Sequence, residues 1–254
     1  MPAINLPSVY NLIKLDKVNS TNAEAISYAQ KGEEIGPHGT LIWALQQTQG
    51  RGRLGKQWDS PLGNLYSSLI LRPDISLKNA AQIGFVAALA IYDALGNIGP
   101  PGHQIHCKWP NDILLNGKKV AGILLESESQ MDEKLLDWLI LGVGINVEYH
   151  PNNTALASTS IRGEGWTNSV EETLQAFCRS FLSWSNRWIE DGFEEIRKNW
   201  LWRSIGRGEK LKVNINGKTE TGIFQDLAED GALLLSKNSE VLRVTAGEVF
   251  FVKK

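Results

Sequence analysis

A chain of 254 residues, 42% hydrophobic and 21% charged, can bury one large core and a small further module, which excludes the disordered and fibrous classes. Its formal net charge of −2 provides no chain-wide attraction to nucleic acid or to an anionic membrane, so any basic site must be local. The two cysteines, Cys107 and Cys178, lie far apart without a spaced Cys/His set, so neither a disulfide framework nor a metal site is expected, and both read as reduced, largely buried thiols.

The first residues show no basic stretch leading into an apolar run and a small-residue cleavage site, and no segment reaches about 18 consecutive apolar residues. A cytoplasmic protein with no membrane partner is therefore expected. Residues 9–18 read as a strand that runs into Ser20-Thr21-Asn22-Ala23-Glu24, where Thr21 and Glu24 have the spacing of a capping box and predict a helix to about residue 31. Residues 39–48 and 65–71 are further apolar strands, separated by a loop whose glycines, arginines and proline fit neither the helical nor the strand period.

Residues 77–95 carry apolar side chains at helical spacing, with Gly96 where a helix C-terminus favours glycine. Residues 105–109, 112–115 and 120–126 read as short strands, the last two joined by Asn116-Gly117, a pair suited to a tight hairpin turn. A long strand is expected over 135–147, then helices over 170–189 and 193–202, with Phe177, Phe181, Trp184 and Trp188 forming a core stripe. From residue 205 the pattern changes to strands over 211–215, 221–227, 233–236 and 241–244, with turns at Asn216-Gly217 and Asp230-Gly231, as in a small antiparallel barrel. The expected division is therefore a large domain over 1–203 and a small one over 204–254.

The loop Gly50-Arg51-Gly52-Arg53-Leu54-Gly55-Lys56 formally matches two nucleotide-binding patterns, G-x-G-x-x-G and G-x-x-x-x-G-K. Both need a helix to start within or directly after the loop, so that its amides can hold phosphates. Here Gln57-Trp58-Asp59-Ser60-Pro61 follows instead, and Gln57 replaces the hydroxyl residue of the second pattern. What remains is a loop whose glycines permit close approach to a ligand and whose arginines offer forked donors to phosphate or carboxylate; a solvated basic turn would read the same way. Further along, Lys108-Trp109-Pro110-Asn111-Asp112 and Lys119 flank a predicted hairpin, and Gly142, Gly144 and Asn146 interrupt an apolar strand, where glycine weakens packing unless something approaches closely.

In this order, Ser20-Thr21-Asn22, Gln47-Thr48-Gln49-Gly50-Arg51-Gly52-Arg53, Lys108-Trp109-Pro110-Asn111-Asp112, Lys119-Val120-Ala121-Gly122-Ile123-Leu124 and Gly142-Val143-Gly144-Ile145-Asn146 resemble the biotin protein ligases, also called biotin–[acetyl-CoA-carboxylase] ligases. The resemblance implies an α/β (α+β) catalytic domain, with a mixed central sheet flanked by helices as in class II synthetases, and an SH3-like β-barrel after it. It also implies ATP-dependent activation of biotin to biotinyl-5′-AMP, with ATP and Mg2+ required, and transfer to a lysine of the biotin carboxyl carrier protein of acetyl-CoA carboxylase.

On the same resemblance, Ser20, Thr21, Asn22, Gln47, Arg51, Gly52, Arg53, Lys119 and Gly122 would bind biotin, while Arg53, Lys56, Trp58, Lys108, Asn111, Ile123, Leu124 and Asn146 would surround ATP. Arg53 and Lys119 would be catalytic. Many relatives carry arginine where Leu54 and Lys56 stand, and a lysine lacks the bidentate fork. Only 19 residues precede Ser20, too few for the helix-turn-helix some relatives carry, so no DNA partner is expected. A lipoate ligase, a nucleic-acid module built on the basic loop, and a regulator that binds biotin without turnover are the alternatives; monomer and homodimer stay equally open.

Overall fold

The computed structural model describes residues 4–251 with the exception of 129–134, 153, 155, 216–217 and 239. Its first seven strands are β1 (Asn11–Val18), β2 (Thr40–Gln47), β3 (Leu65–Leu71), β4 (Ile105–Lys108), β5 (Asp112–Leu115), β6 (Lys118–Glu128) and β7 (Trp138–Ile145). They form one sheet in the order β1-β2-β3-β7-β6-β5-β4. The pair β1 and β2 is parallel and the other neighbours are antiparallel, so the sheet is mixed.

Helix α1 (Thr21–Ala29) covers one face, where Ala25 and Ala29 pack on Ile42, Ile70, Trp138 and Ile140. Helices α2 (Gln82–Ile98), α3 (Val170–Asp191) and α4 (Phe193–Arg203) cover the other. By length and composition the segment Leu77–Ile98 is apolar enough to span a membrane. Its lack of a polar face has a local cause: α2 is enclosed by β4, β5 and β6 on one side and by α3 and α4 on the other, as an all-round apolar core helix must be. On α3 the aromatic stripe is inward: Phe177, Phe181 and Trp184 are buried and Trp188 packs against the same core.

The last five strands, β8 (Lys210–Ile215), β9 (Lys218–Leu227), β10 (Leu233–Lys237), β11 (Glu240–Val244) and β12 (Glu248–Phe251), form a separate antiparallel sheet in the order β11-β10-β9-β8-β12. One hydrophobic cluster runs through both sheets, from Trp43 and Leu89 to Val213 and Leu235. Directional bonds tie the second sheet and its turns to the β4–β5 turn, α2 and α4: Trp109 Nε1 donates to the Gly231 carbonyl at 3.1 Å, Gln82 Nε2 to the Glu229 carbonyl at 3.0 Å, and Arg197 to Asp226 at 2.9 Å.

Four expectations change. The Thr21/Glu24 capping box does not form; Ser20 is the N-cap, makes no side-chain cap bond, and Thr21 turns instead to Gln47. Gly96 lies inside α2, which ends at Ile98 with Gly99 as its cap, and residues 77–79 are a separate 3-10 turn. The strand expected over 135–147 begins only at Trp138. The strand Glu248–Phe251 went unread, and the predicted Asn216-Gly217 turn lies outside the described residues.

Candidate active site

Alternation along β7 opens the site. Its residues Leu139, Leu141, Val143 and Ile145 face the core, while Trp138 and Ile140 on the opposite face lie under α1. The next two positions on that face are Gly142 and Gly144, and the missing side chains leave room. A Cβ at Gly142 would collide with Oδ1 of Asn22, and one at Gly144 would stand 2.7 Å from Nε1 of Trp58. Gly122 on the neighbouring strand serves the same ring, since a Cβ there would come within 2.9 Å of it. The glycines that interrupt an apolar strand are therefore the floor of a cavity of about 590 Å³.

One end of that cavity is neutral and hydrogen-bonding. Thr21 donates its backbone N–H at 2.8 Å and its hydroxyl at 3.1 Å to Gln47 Oε1, and Gln47 Nε2 donates to Ser60 at 2.8 Å. Ser68 Oγ lies 2.8 Å from Thr21 Oγ1 and 2.5 Å from Asn22 Oδ1. Ser20, Thr21, Asn22 and Ser68 are all buried, so each polar atom must be paired by protein or by ligand.

The other end is cationic. Lys108 and Asp112 are directly opposite each other on β4 and β5, joined by a turn that holds the cis Trp109–Pro110 bond. Asp112 stands between two lysines, its Oδ1 2.5 Å from Lys119 Nζ and its Oδ2 3.8 Å from Lys108 Nζ. Burial pulls the Lys108 ammonium below its usual range, only partly offset by Asp112, with Lys119 adding to the depression. Burial likewise lowers the Arg53 guanidinium, against the attraction of Asp112 and Glu248.

The glycine-arginine loop is not irregular. It closes on itself as a hairpin, with bonds from Trp58 N to Gly50 O at 2.9 Å and from Gly52 N to Lys56 O at 2.7 Å, an Arg51 to Gln57 bridge between them, and a 3-10 turn over Arg53–Gly55 at the tip. Its three basic side chains reach three different elements. Arg51 pairs with Glu126 of β6 at 3.1 Å, Arg53 donates to Asn111 Oδ1 at 3.3 Å, and Lys56 contacts Glu248 of β12. Asn111 in turn donates to the Ile123 carbonyl at 2.7 Å, and Asn146 to the Thr159 carbonyl at 3.0 Å.

All the residues singled out from the sequence line this one cavity: Ser20, Thr21, Asn22, Gln47, Arg51, Gly52, Arg53, Lys56, Trp58, Lys108, Asn111, Lys119, Gly122, Ile123, Leu124 and Asn146. Sequence reasoning missed Ser68, which has no motif around it, and the contribution of Gly247, Glu248 and Phe250 from the second sheet. It noted Asp112 without giving it a structural role.

Residues 6–202 match the model of the biotin/lipoate A/B protein ligase family, and residues 208–252 match that of the biotin protein ligase C terminal domain. The chain belongs to the biotin/lipoate protein ligase family. Family relatives include a biotin–[acetyl-CoA-carboxylase] ligase of Paracoccus denitrificans, 38% identical over 93% of this chain and 99% of its own. The bifunctional ligase/repressor BirA of Bacillus subtilis (strain 168) is 32% identical over 94% of this chain and 73% of its own length. The biotin protein ligase of Aquifex aeolicus, solved in complex with biotin and ATP, superposes with a TM-score of 0.77 at 30% identity, covering 94% of this chain and 97% of the other. The family fold is thus a large mixed sheet flanked by helices, followed by a small antiparallel sheet.

Proposed function

We propose that this chain is a biotin protein ligase: it activates biotin with ATP to biotinyl-5′-AMP and passes the biotinyl group to a lysine of a biotin carboxyl carrier protein. The observation that carries this reading is the polarity of the cavity, neutral and donor/acceptor-rich at the Thr21, Asn22 and Gln47 end and cationic at the Arg53, Lys108 and Lys119 end. A ureido ring is neutral and polar, and a triphosphate is a polyanion. The catalytic unit is taken as residues 1–203 and the small unit as 204–254.

In the first step an anion, the biotin carboxylate, approaches a polyanion. Two unit charges 4 Å apart repel by about 4 kcal/mol at an effective dielectric of about 20, so cations must stand between them. Lys119 and Arg53 would supply them, holding the carboxylate and the α-phosphate in line while pyrophosphate leaves and stabilising charge on the five-coordinate phosphorus, with no proton transfer required. Asp112 keeps the buried Lys108 and the half-buried Lys119 ammoniums together, where the two cations would otherwise repel each other.

Among the described residues no group of three or more His, Cys, Asp or Glu could hold a metal by itself. The oxygen donors at the cationic end are Asn111 and Asp112, a sparse set that suits magnesium carried mainly by phosphates and water. Asn111 and Asp112 would hold its outer shell, and the ion would neutralise phosphate charge. In the second step the acceptor lysine, as a free amine, attacks the carbonyl carbon of the mixed anhydride; the acyl C–O bond to phosphate breaks, AMP leaves and the amine's proton passes to solvent. The loop, tied down through Arg51, Arg53 and Lys56, excludes water from the anhydride until then.

Isothermal titration separates this reading from lipoate ligation, which the family also includes. Biotin should bind and lipoate should not; saturable lipoate binding without biotin binding would overturn the assignment.

A further inference from the structure

We infer that Glu126, outside every motif of the cavity, is a positioning residue that sets the donor/acceptor pattern read by the biotin ring and ties that pattern to the loop. The inference rests on the biotin-ligase reading above. Glu126 lies on β6 opposite Ile140 of β7, and its two carboxylate oxygens are divided between two partners. Oε2 accepts from Asn22 Nδ2 at 2.7 Å, and Oε1 accepts from Arg51 Nη1 at 3.1 Å.

The first contact decides which way round the Asn22 amide sits. An asparagine amide is nearly symmetric in shape but not in chemistry, with donors on one arm and an acceptor on the other. An ionised carboxylate only accepts, so Glu126 compels the NH2 arm to face it and the carbonyl arm to face Ser68, 2.5 Å away. The consequence runs along the pocket. Ser68 has one hydroxyl proton between two acceptors, and the shorter contact, 2.5 Å to Asn22 Oδ1 against 2.8 Å to Thr21 Oγ1, directs it to Asn22. Asn22 keeps one free amide hydrogen for a ligand carbonyl. With the amide reversed, Ser68 would have to accept from Asn22 and turn its proton toward Thr21, and the pocket would present an acceptor where a donor now stands.

The second contact transmits this to the loop. Asn22 is buried and held on both arms, so the carboxylate it fixes is a rigid anchor for the half-exposed Arg51. A second cavity, of about 750 Å³, lies between loop residues Gln49 to Gln57 and Leu124, Leu125 and Glu126. The Arg51–Glu126 pair bridges its two walls. Parting that pair joins the reactive centre to solvent on this side.

The test compares wild type with Glu126→Gln, Glu126→Ala, Arg51→Ala and the double variant Glu126→Ala/Arg51→Ala. It reads biotin affinity by titration, KM for ATP, and the fraction of biotinyl-adenylate released from the protein in single turnover. Glu126→Gln, which removes the acceptor-only constraint, should weaken biotin binding roughly tenfold, in keeping with loss of a hydrogen bond to a charged group. Its KM for ATP should stay within about twofold of wild type, well below the tenfold steps that charge-assisted contacts command. Arg51→Ala should release adenylate while Asn22 keeps its bond to Glu126, and the double variant should release no more than Glu126→Ala alone. Wild-type biotin affinity and adenylate retention in Glu126→Gln and Arg51→Ala would overturn the inference, as would additive release in the double variant. If wild type itself forms no biotinyl-adenylate, it is the ligase reading that fails, which the control lane reports separately.

Discussion

Lys119 reaches Asp112 with its Nζ 2.5 Å from Oδ1 because the strand that carries it is bulged. Between β5 and β6 the register runs Asp112 to Gly122 and Ile113 to Ala121, then shifts so that Leu114 faces Lys119. Val120 is the extra residue, and it is fully buried. Lys119 and Gly122 are three positions apart and would point to opposite faces of a regular strand, yet both line the cavity. The bulge is what turns the lysine into the site.

Lys119→Ala should therefore retain the fold and lose adenylate formation. Removing one preorganised charge at a transition state typically costs about 10² to 10³ in rate, so biotin-dependent pyrophosphate release should fall by at least about that factor. Pyrophosphate release at the wild-type rate would remove Lys119 from the chemistry.

Arg53→Ala is expected to slow adenylate formation and, in addition, to act later. It leaves Asn111 bonded to the Ile123 carbonyl, so the pocket persists, but the loop loses its innermost tether. Single-turnover assays should show free biotinyl-AMP that wild type retains. Full retention by the variant would place the water barrier elsewhere.

Buried Lys108 predicts opposite pH trends for activity and stability. Its ammonium is depressed below the usual 10.5, chiefly by burial, so its charge is lost as pH rises through that lowered value. The kcat/KM for ATP, which reports the free enzyme, should drop on this alkaline limb, and Lys108→Arg should move the limb upward. Over the same window, from the lowered value to 10.5, the unfolded chain binds more protons than the folded one, so stability should rise with pH. Lys108→Met should abolish that rise in urea titrations; an unchanged slope would refute the assignment.

Gly142→Ala tests the floor of the pocket. The new methyl would occupy the place of the Asn22 amide oxygen, which accepts from Ser68 while Glu126 holds the Nδ2 arm of the same amide. Displacing it should weaken biotin binding by roughly tenfold or more, as loss of buried hydrogen bonds does. Calorimetry showing wild-type biotin affinity would mean that Asn22 is not needed where it stands.

The fold was legible where periodicity is strong. The strand over 65–71 follows from a short apolar run bounded by turn residues and the Phe177, Phe181, Trp184 and Trp188 stripe from helical spacing, and the Asn116-Gly117 turn has the positive φ values, 51° and 77°, that such a pair accommodates. Errors arose where a side chain had a tertiary competitor. Thr21 abandons a cap for Gln47 and Ser68, and no local pattern records those partners. The site residues stood out because glycines and polar groups break apolar strands, whereas Glu248 closes on Lys56 from a short terminal strand 192 positions away. Glu126 was invisible for the same reason: at a strand end a glutamate reads as solvated until its partners are known.

Protein biotinylation itself is measured by mixing the chain with biotin, Mg-ATP and a biotin carrier domain and reading the intact mass of the carrier. The expected product is a carrier with a single added biotin on one lysine, absent when either biotin or ATP is withheld. An unmodified carrier, with no biotin-dependent release of pyrophosphate, would contradict the ligase reading.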